Sequence, residues 1–139
     1  MQPIYKRILK VVGVGILVIA LAMVYFSFNP LEHTFFLQCP FHSLTGYYCP
    51  GCGSQRAIHQ LLHGDLYLAF SYNPFMVLSL PLIAYGIGTK LYNYIFQAQH
   101  RVQLFYKNWF IYGYFAIAVL YWILRNLSFE PFRYLAPME

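Results

Sequence analysis

From Val11 to Phe28 the chain runs without a single Asp, Glu, Lys or Arg. As a helix rising 1.5 Å per residue, this stretch covers roughly 27 Å, close to the ~30 Å hydrocarbon core of a bilayer. Lys6, Arg7 and Lys10 precede it, and Ala20-Leu21-Ala22 resembles a signal-peptide cleavage site, so removal of the segment is a rival reading. Met23-Val24-Tyr25-Phe26 extends the apolar run past that site, beyond a usual signal core, and favours a retained membrane span.

Two further stretches fit the same environment. One begins at Pro74, where Asn73 can cap a helix and proline suits the first helical position, and it continues to about Tyr94. Pro81 is expected to kink it, and Ala84 with Gly88 forms a small-xxx-small pair that permits close helix approach. The other runs from Asn108 to Leu124, with Trp109 and Tyr112 near one end and Tyr121 and Trp122 near the other. Arg125 stands at its edge, where its side chain can snorkel to the interface. Only 9% of the residues are charged and 60% are hydrophobic. Soluble domains carry roughly 25% charged residues, so this chain lacks the polar side chains to coat a water-facing surface. The expected fold is all-α and integral to the membrane: one membrane domain over 1–139, with three transmembrane helices at about 11–28, 74–94 and 108–124.

The net charge of +5 does not point to nucleic acid, since no nucleic-acid motif accompanies it. The basic residues flank the apolar runs instead, where they set topology and meet anionic lipid. Lys6, Arg7, Lys10, Lys90, Arg101 and Lys107 fall in the N-terminal segment and second loop; Arg56, Arg125 and Arg133 fall in the first loop and C-terminal tail. Six against three places the N-terminus in the cytoplasm and the first loop and C-terminus outside.

All three cysteines, Cys39, Cys49 and Cys52, lie in that first loop, within a hairpin at about 39–72. Pro50-Gly51 between Cys49 and Cys52 forces a tight turn, with Gly51 free to take a positive φ, and brings two sulfurs to one side. Metal knuckles and redox pairs both need that arrangement. A short interfacial helix follows, with Ser54 as its cap and Gly64 as its stop. Ala57, Ile58, Leu61 and Leu62 share one face, and Arg56, His59, Gln60 and His63 the other. Asp65 caps a second short stretch from Leu66 to Tyr72, which leads into Asn73-Pro74.

The succession Cys39-Pro-Phe, Leu-Thr-Gly46-x-x-Cys49-Pro50-Gly51-Cys52-Gly53, Arg56-Ala, Leu-Leu-x-Gly64-Asp65 and Asn73-Pro74-Phe resembles a group of small bacterial membrane proteins, number 2752 among the domains of unknown function. The resemblance covers roughly Cys39 to Leu78. It implies a bacterial inner-membrane protein and no particular activity; His59 and His63 are not part of its pattern.

The cysteines admit three readings. A disulfide from Cys39 to Cys49 or Cys52 would pin the hairpin, worth about 2–3 kcal/mol on the chain-entropy model, or all three would ligate a structural metal. Alternatively, three thiolates with His59 or His63, spaced i and i+4, would form a zinc site, although two histidines on the wet face of an interfacial helix need no such role. Thirdly, Cys49 and Cys52 precede a helix N-terminus, where the helix field and Arg56 favour a thiolate suited to thiol–disulfide exchange. Membrane enzymes of that kind usually carry a second pair, and this chain has one extra cysteine. Arg56 and Asp65 flank the short helix and suit either an ion pair with each other or contact with a partner.

No phosphate-binding loop or serine-nucleophile motif is present, and the chain has four carboxylate side chains. The expected role is a non-enzymatic membrane component whose cysteine-stabilised hairpin faces a partner protein or copies of itself. A thiol–disulfide oxidoreductase, or an oligomeric channel or carrier subunit, are the alternatives.

Overall fold

The computed structural model describes residues 3–32, 36–100, 102–127, 129–130 and 132–137, without the side chains of 133 and 134. Arg101 and the side chain of Arg133, both counted above for orientation, lie outside this set. Every element among the described residues is helical. In chain order these are α1 (Ile4–Ser27), α2 (Pro40–Thr45), α3 (Ser54–Leu62), α4 (Leu66–Tyr72), α5 (Pro74–Phe96) and α6 (Asn108–Leu124), with short 3-10 turns at Gln103–Tyr106 and Phe132–Leu135.

Two helices, α1 and α5, are long and apolar enough to cross a membrane. Apolar composition suits either a protein core or lipid, and burial bears on which of the two it meets. None of the most apolar stretch of α1 and only 6% of that of α5 is buried within the chain. A core helix of a soluble domain would be covered; these present Leu, Ile, Val and Phe outward along their length. Against the expectation of three full-length spans, α6 has 17 residues, about 26 Å, at the lower limit for crossing. α5 continues through Pro81 to Phe96 as one helix.

The helices run antiparallel in sequence. Arg7 near the start of α1 donates to the Tyr94 carbonyl near the end of α5 at 3.4 Å. Ser79 of α5 and Tyr114 of α6 share a hydroxyl–hydroxyl hydrogen bond of 2.7 Å, and Phe75 stacks on Tyr121 at a centroid distance of 5.3 Å. The buried residues do not line the middle of this arrangement. They gather at one end, where α2, α3 and α4 fold over the start of α5 and the end of α6. Ala57 and Ala69, both with no exposure, let α3 and α4 pack closely, and Tyr72, Leu61, Met76 and Val77 complete that apolar centre.

The α3–α4 hairpin is built from local rules. Gly64 takes φ +82° after α3, as a helix stop requires. Asp65 caps α4, its carboxylate accepting from the Leu68 N–H at 2.9 Å. Ser54, expected as the cap of α3, is instead its first residue, and Gly53 holds the capping position with φ +82°. The hydroxyl of Ser54 is engaged elsewhere, accepting from Asn73 at 3.0 Å.

Asn73 ties this cap together. It is fully buried. Its carbonyl oxygen accepts from the Met76 N–H at 3.0 Å, capping α5, and from the Tyr121 hydroxyl at 3.3 Å. Its amide nitrogen donates to the carbonyls of Pro50 at 3.0 Å and Cys52 at 3.2 Å. Truncation would leave a buried N–H and several acceptors under-satisfied, so Asn73→Ala is expected to destabilise the protein by at least about 3 kcal/mol. Asn73→Asp keeps the helix cap but turns a carboxylate toward three acceptors, and thermal unfolding in detergent should show it no more stable than Asn73→Ala. A wild-type-like melt for Asn73→Asp would refute the donor role.

A three-thiol knuckle held by a buried arginine

The site begins at Cys39, which precedes α2. Pro40 occupies the first helical position, and the six-residue helix closes at Gly46 with φ +74°. Thr45 completes the closure, its hydroxyl donating to the Phe41 carbonyl at 2.7 Å and accepting from the Tyr47 N–H at 3.2 Å. The Leu-Thr-Gly sequence is thus a helix terminator that turns the chain back toward Cys39. Six residues after Gly46 the Cys49–Cys52 turn is complete, with the Cys52 N–H donating to the Cys49 carbonyl at 3.1 Å.

Cys49 lies between the other two thiols, its Sγ 3.3 Å from that of Cys39 and 3.3 Å from that of Cys52. All three are free thiols whose sulfurs lie within 4.8 Å of one another, an arrangement that can hold a metal ion. Three thiolates on a tetrahedral zinc, with Zn–S near 2.3 Å, place their sulfurs ~3.8 Å apart, within the span seen here. The Cys49 N–H also points at the Cys52 sulfur, at 3.2 Å.

The glycines of the turn divide the labour differently from the sequence reading. Gly51 does not take a positive φ; Gly53 does. A Cβ on Gly53 would also stand 2.5 Å from the Tyr72 carbonyl oxygen, so conformation and close approach both exclude a side chain there. On Gly51 a Cβ would meet only the Cys49 sulfur, at an ordinary 3.8 Å.

The residue that the sequence reading placed elsewhere is Arg125. Rather than snorkelling outward it is 1% exposed and reaches into the turn. Its guanidinium donates to the carbonyls of Cys49 at 2.9 Å, Pro50 at 3.2 Å and Cys52 at 3.1 Å. The rings of Tyr121 and Tyr48 lie 5.0 Å and 5.8 Å from it. None of its described contacts is a carboxylate. The neighbouring Asn126 grips the same turn, accepting from the Tyr48 N–H at 2.8 Å and donating to the Tyr48 carbonyl at 2.9 Å. The signal for both was an Arg-Asn pair closing an apolar helix, which reads equally well as an interfacial anchor.

His59 and His63 are turned away from the sulfurs. His59 Nδ1 lies 2.6 Å from the Tyr25 carbonyl in the last turn of α1, and His63 stacks on Phe26 at 4.3 Å. They join the hairpin to α1, and the group of ligating atoms formed by Cys39, Cys49 and Cys52 does not include them. The histidine beside the sulfurs is His42, which stacks on Tyr48 at 4.6 Å. Arg56 lies over the Tyr72 ring at 5.9 Å, while Asp65 is spent on its cap, so each charge has its own structural task.

The thiols differ in acidity. Burial, reinforced by the neighbouring Cys49 and Cys39 thiols, pushes Cys52 up to about 12. At Cys39 partial burial acts in the same direction, but hydrogen bonds from the His42 backbone, the Cys49 and Cys52 thiols and the Phe41 backbone outweigh it and hold the thiol below its ordinary value. In metal-stripped protein at pH 8, iodoacetamide should therefore modify Cys39 at least about tenfold faster than the buried Cys52, as read by peptide mass spectrometry. Equal rates would contradict this ordering.

No curated protein and no solved structure gives a significant match to the chain. Residues 39–87, which hold all three cysteines, α2 to α4 and the first part of α5, match the family described as Protein of unknown function (DUF2752).

Proposed function

We propose that this is a three-span protein of the bacterial inner membrane whose extracytoplasmic hairpin is a metal centre, with zinc held by Cys39, Cys49 and Cys52. In this reading the metal is structural. It clasps α2 to the Cys49–Cys52 turn, and Asn73, Arg125 and Asn126 fix that turn to α5 and α6. The finished hairpin is the surface offered to a membrane-protein partner or to a second copy.

The observation that carries the metal reading is the buried Arg125 behind a cluster of three free thiols. Among the described residues, carbonyls and rings surround this buried guanidinium and no carboxylate meets it. Three thiolates around a divalent ion carry a net charge of −1, which Arg125 balances. A disulfide would take up two of the thiols and leave one, which without a metal is mainly protonated at neutral pH, so the cation would face dipoles alone. Thiol–disulfide exchange is the second reading, favoured by the position of Cys49 within reach of both other sulfurs.

Protein purified in mild detergent should contain about one zinc per chain and three thiols that become alkylated only after chelation. A chain 2 Da lighter by intact mass, with no metal, would overturn the metal reading and leave exchange in its place. Because Cys52 must lose a proton to bind, zinc retention should fall as pH is lowered from 8 to 6.

The three-span topology rests on α6, which returns from the basic end of the molecule to the knuckle. The hydrogen bond from Arg7 to the Tyr94 carbonyl supports retention of α1, since cleavage after Ala22 would remove it. A reporter active only in the cytoplasm should work when fused to the N-terminus and be silent at the C-terminus. Activity at both ends would mean two spans.

A further inference from the structure

Far from the thiols, a recess of about 560 Å³ lies between α5, the 3-10 turn at Gln103–Tyr106 and α6. It follows α5 from Leu82 to Asn93, about 17 Å at 1.5 Å per residue. Its two ends differ in chemistry. Leu82 and Ile83 line the inner end, beside Tyr114, whose hydroxyl is bonded to Ser79 at 2.7 Å. Lys90, Asn93 and His100 line the outer end. Between them Gly86 makes room for the wall opposite: a Cβ there would stand 3.3 Å from the Phe105 ring.

Most polar groups of the lining already have partners. The Thr89 hydroxyl donates to the Tyr85 carbonyl at 2.9 Å. Asn93 donates to the His100 carbonyl at 2.7 Å and accepts from its N–H at 3.1 Å, which fixes that segment against α5. Lys90 is exposed and makes neither a hydrogen bond nor an ion pair among the described residues. No carboxylate lines the recess. A shallower recess that shares Asn93 adds Arg7 and Lys10 to the same end. The described carboxylates stand at the other end: Glu32 after α1, Asp65 on its cap, and Glu130 just before the Phe132–Leu135 turn, which packs on α4. The mouth of the recess therefore carries cations without acidic neighbours.

An occupant that fits is apolar along most of its length and negative at one end. Lipid supplies such molecules, and basic pockets between spanning helices on the cytoplasmic side take anionic headgroups. We infer that this recess binds one anionic phospholipid, with an acyl chain along Leu82, Ile83 and Ile87 and its phosphate at Lys90. The site rests on the membrane reading and is independent of the metal. It differs from the general attraction of basic residues to anionic lipid in having one place, one cation and an apolar slot.

Full-length protein in mild detergent, offered phosphatidylglycerol and phosphatidylcholine in equal amounts, should carry one phosphatidylglycerol per chain by native mass spectrometry. Lys90→Gln should weaken that binding roughly fivefold, and Lys90→Arg should keep it. Ile83→Trp fills the apolar end from an exposed position and should weaken binding as well, scored on protein whose thermal melt matches the wild type. Lys107→Gln removes a cation outside the lining and should leave binding unchanged. Equal losses in Lys90→Gln and Lys107→Gln would reduce the effect to surface charge and overturn the site, as would indifference between the two lipids. Release of the protein from membranes by alkaline carbonate would instead remove the membrane reading, and this site with it.

Discussion

The carbonyl oxygens of Cys49, Pro50 and Cys52 are turned inward, away from water, and the structure depends on what meets them there. Within the turn the Cys52 N–H meets the Cys49 carbonyl, but the carbonyls of Pro50 and Cys52 look beyond it, and buried unsatisfied acceptors are expensive. Asn73 and Arg125 supply the donors, one at the start of α5 and the other at the end of α6. The same bonds therefore shape the thiol cluster and dock the hairpin onto two long helices. A local need for hydrogen bonds has become the principal tertiary joint of the molecule.

This explains where the order of the chain is concentrated. The long helices face outward with Leu, Ile, Val and Phe, and in the membrane reading proposed above, lipid as apolar as those side chains gives them little reason to bury one another. Specific packing among them comes from polar and aromatic pairs such as Ser79 with Tyr114 and Phe75 with Tyr121. The buried centre sits at one end, where water would otherwise reach the backbone of the turn. A buried arginine is tolerable there because three carbonyls and two tyrosine rings surround it, and because thiolates, if metal-bound, complete its electrostatics.

The metal and redox readings of a Cys-Pro-Gly-Cys turn begin from the same geometry, so the turn alone cannot separate them. What separates them is the third cysteine and the charge behind it. Cys39 is drawn in by the α2 helix and its glycine terminator, a device useful to either chemistry. The guanidinium is more selective, since it is compensated by a state in which the sulfurs are ionised.

The amino-acid sequence by itself determined the all-helical character, the starts of α5 and α4 at Asn73-Pro74 and Asp65, the stop at Gly64 and the closeness of Cys49 to Cys52. Each of these follows from neighbouring residues: apolar run length, a capping side chain, a backbone angle open mainly to glycine. Only the tertiary structure decided that Cys39 joins the pair, that Gly53 rather than Gly51 carries the positive φ, that His59 and His63 serve α1, and that Arg125 turns inward. Those outcomes are set by partners distant in the chain. Arg125 meets Cys49 across 76 positions, and nothing local distinguishes an arginine that will reach water from one that will find three carbonyls. Spacing on a helix face likewise placed two histidines side by side, but which neighbour that face meets was fixed by the packing of α3 against α1.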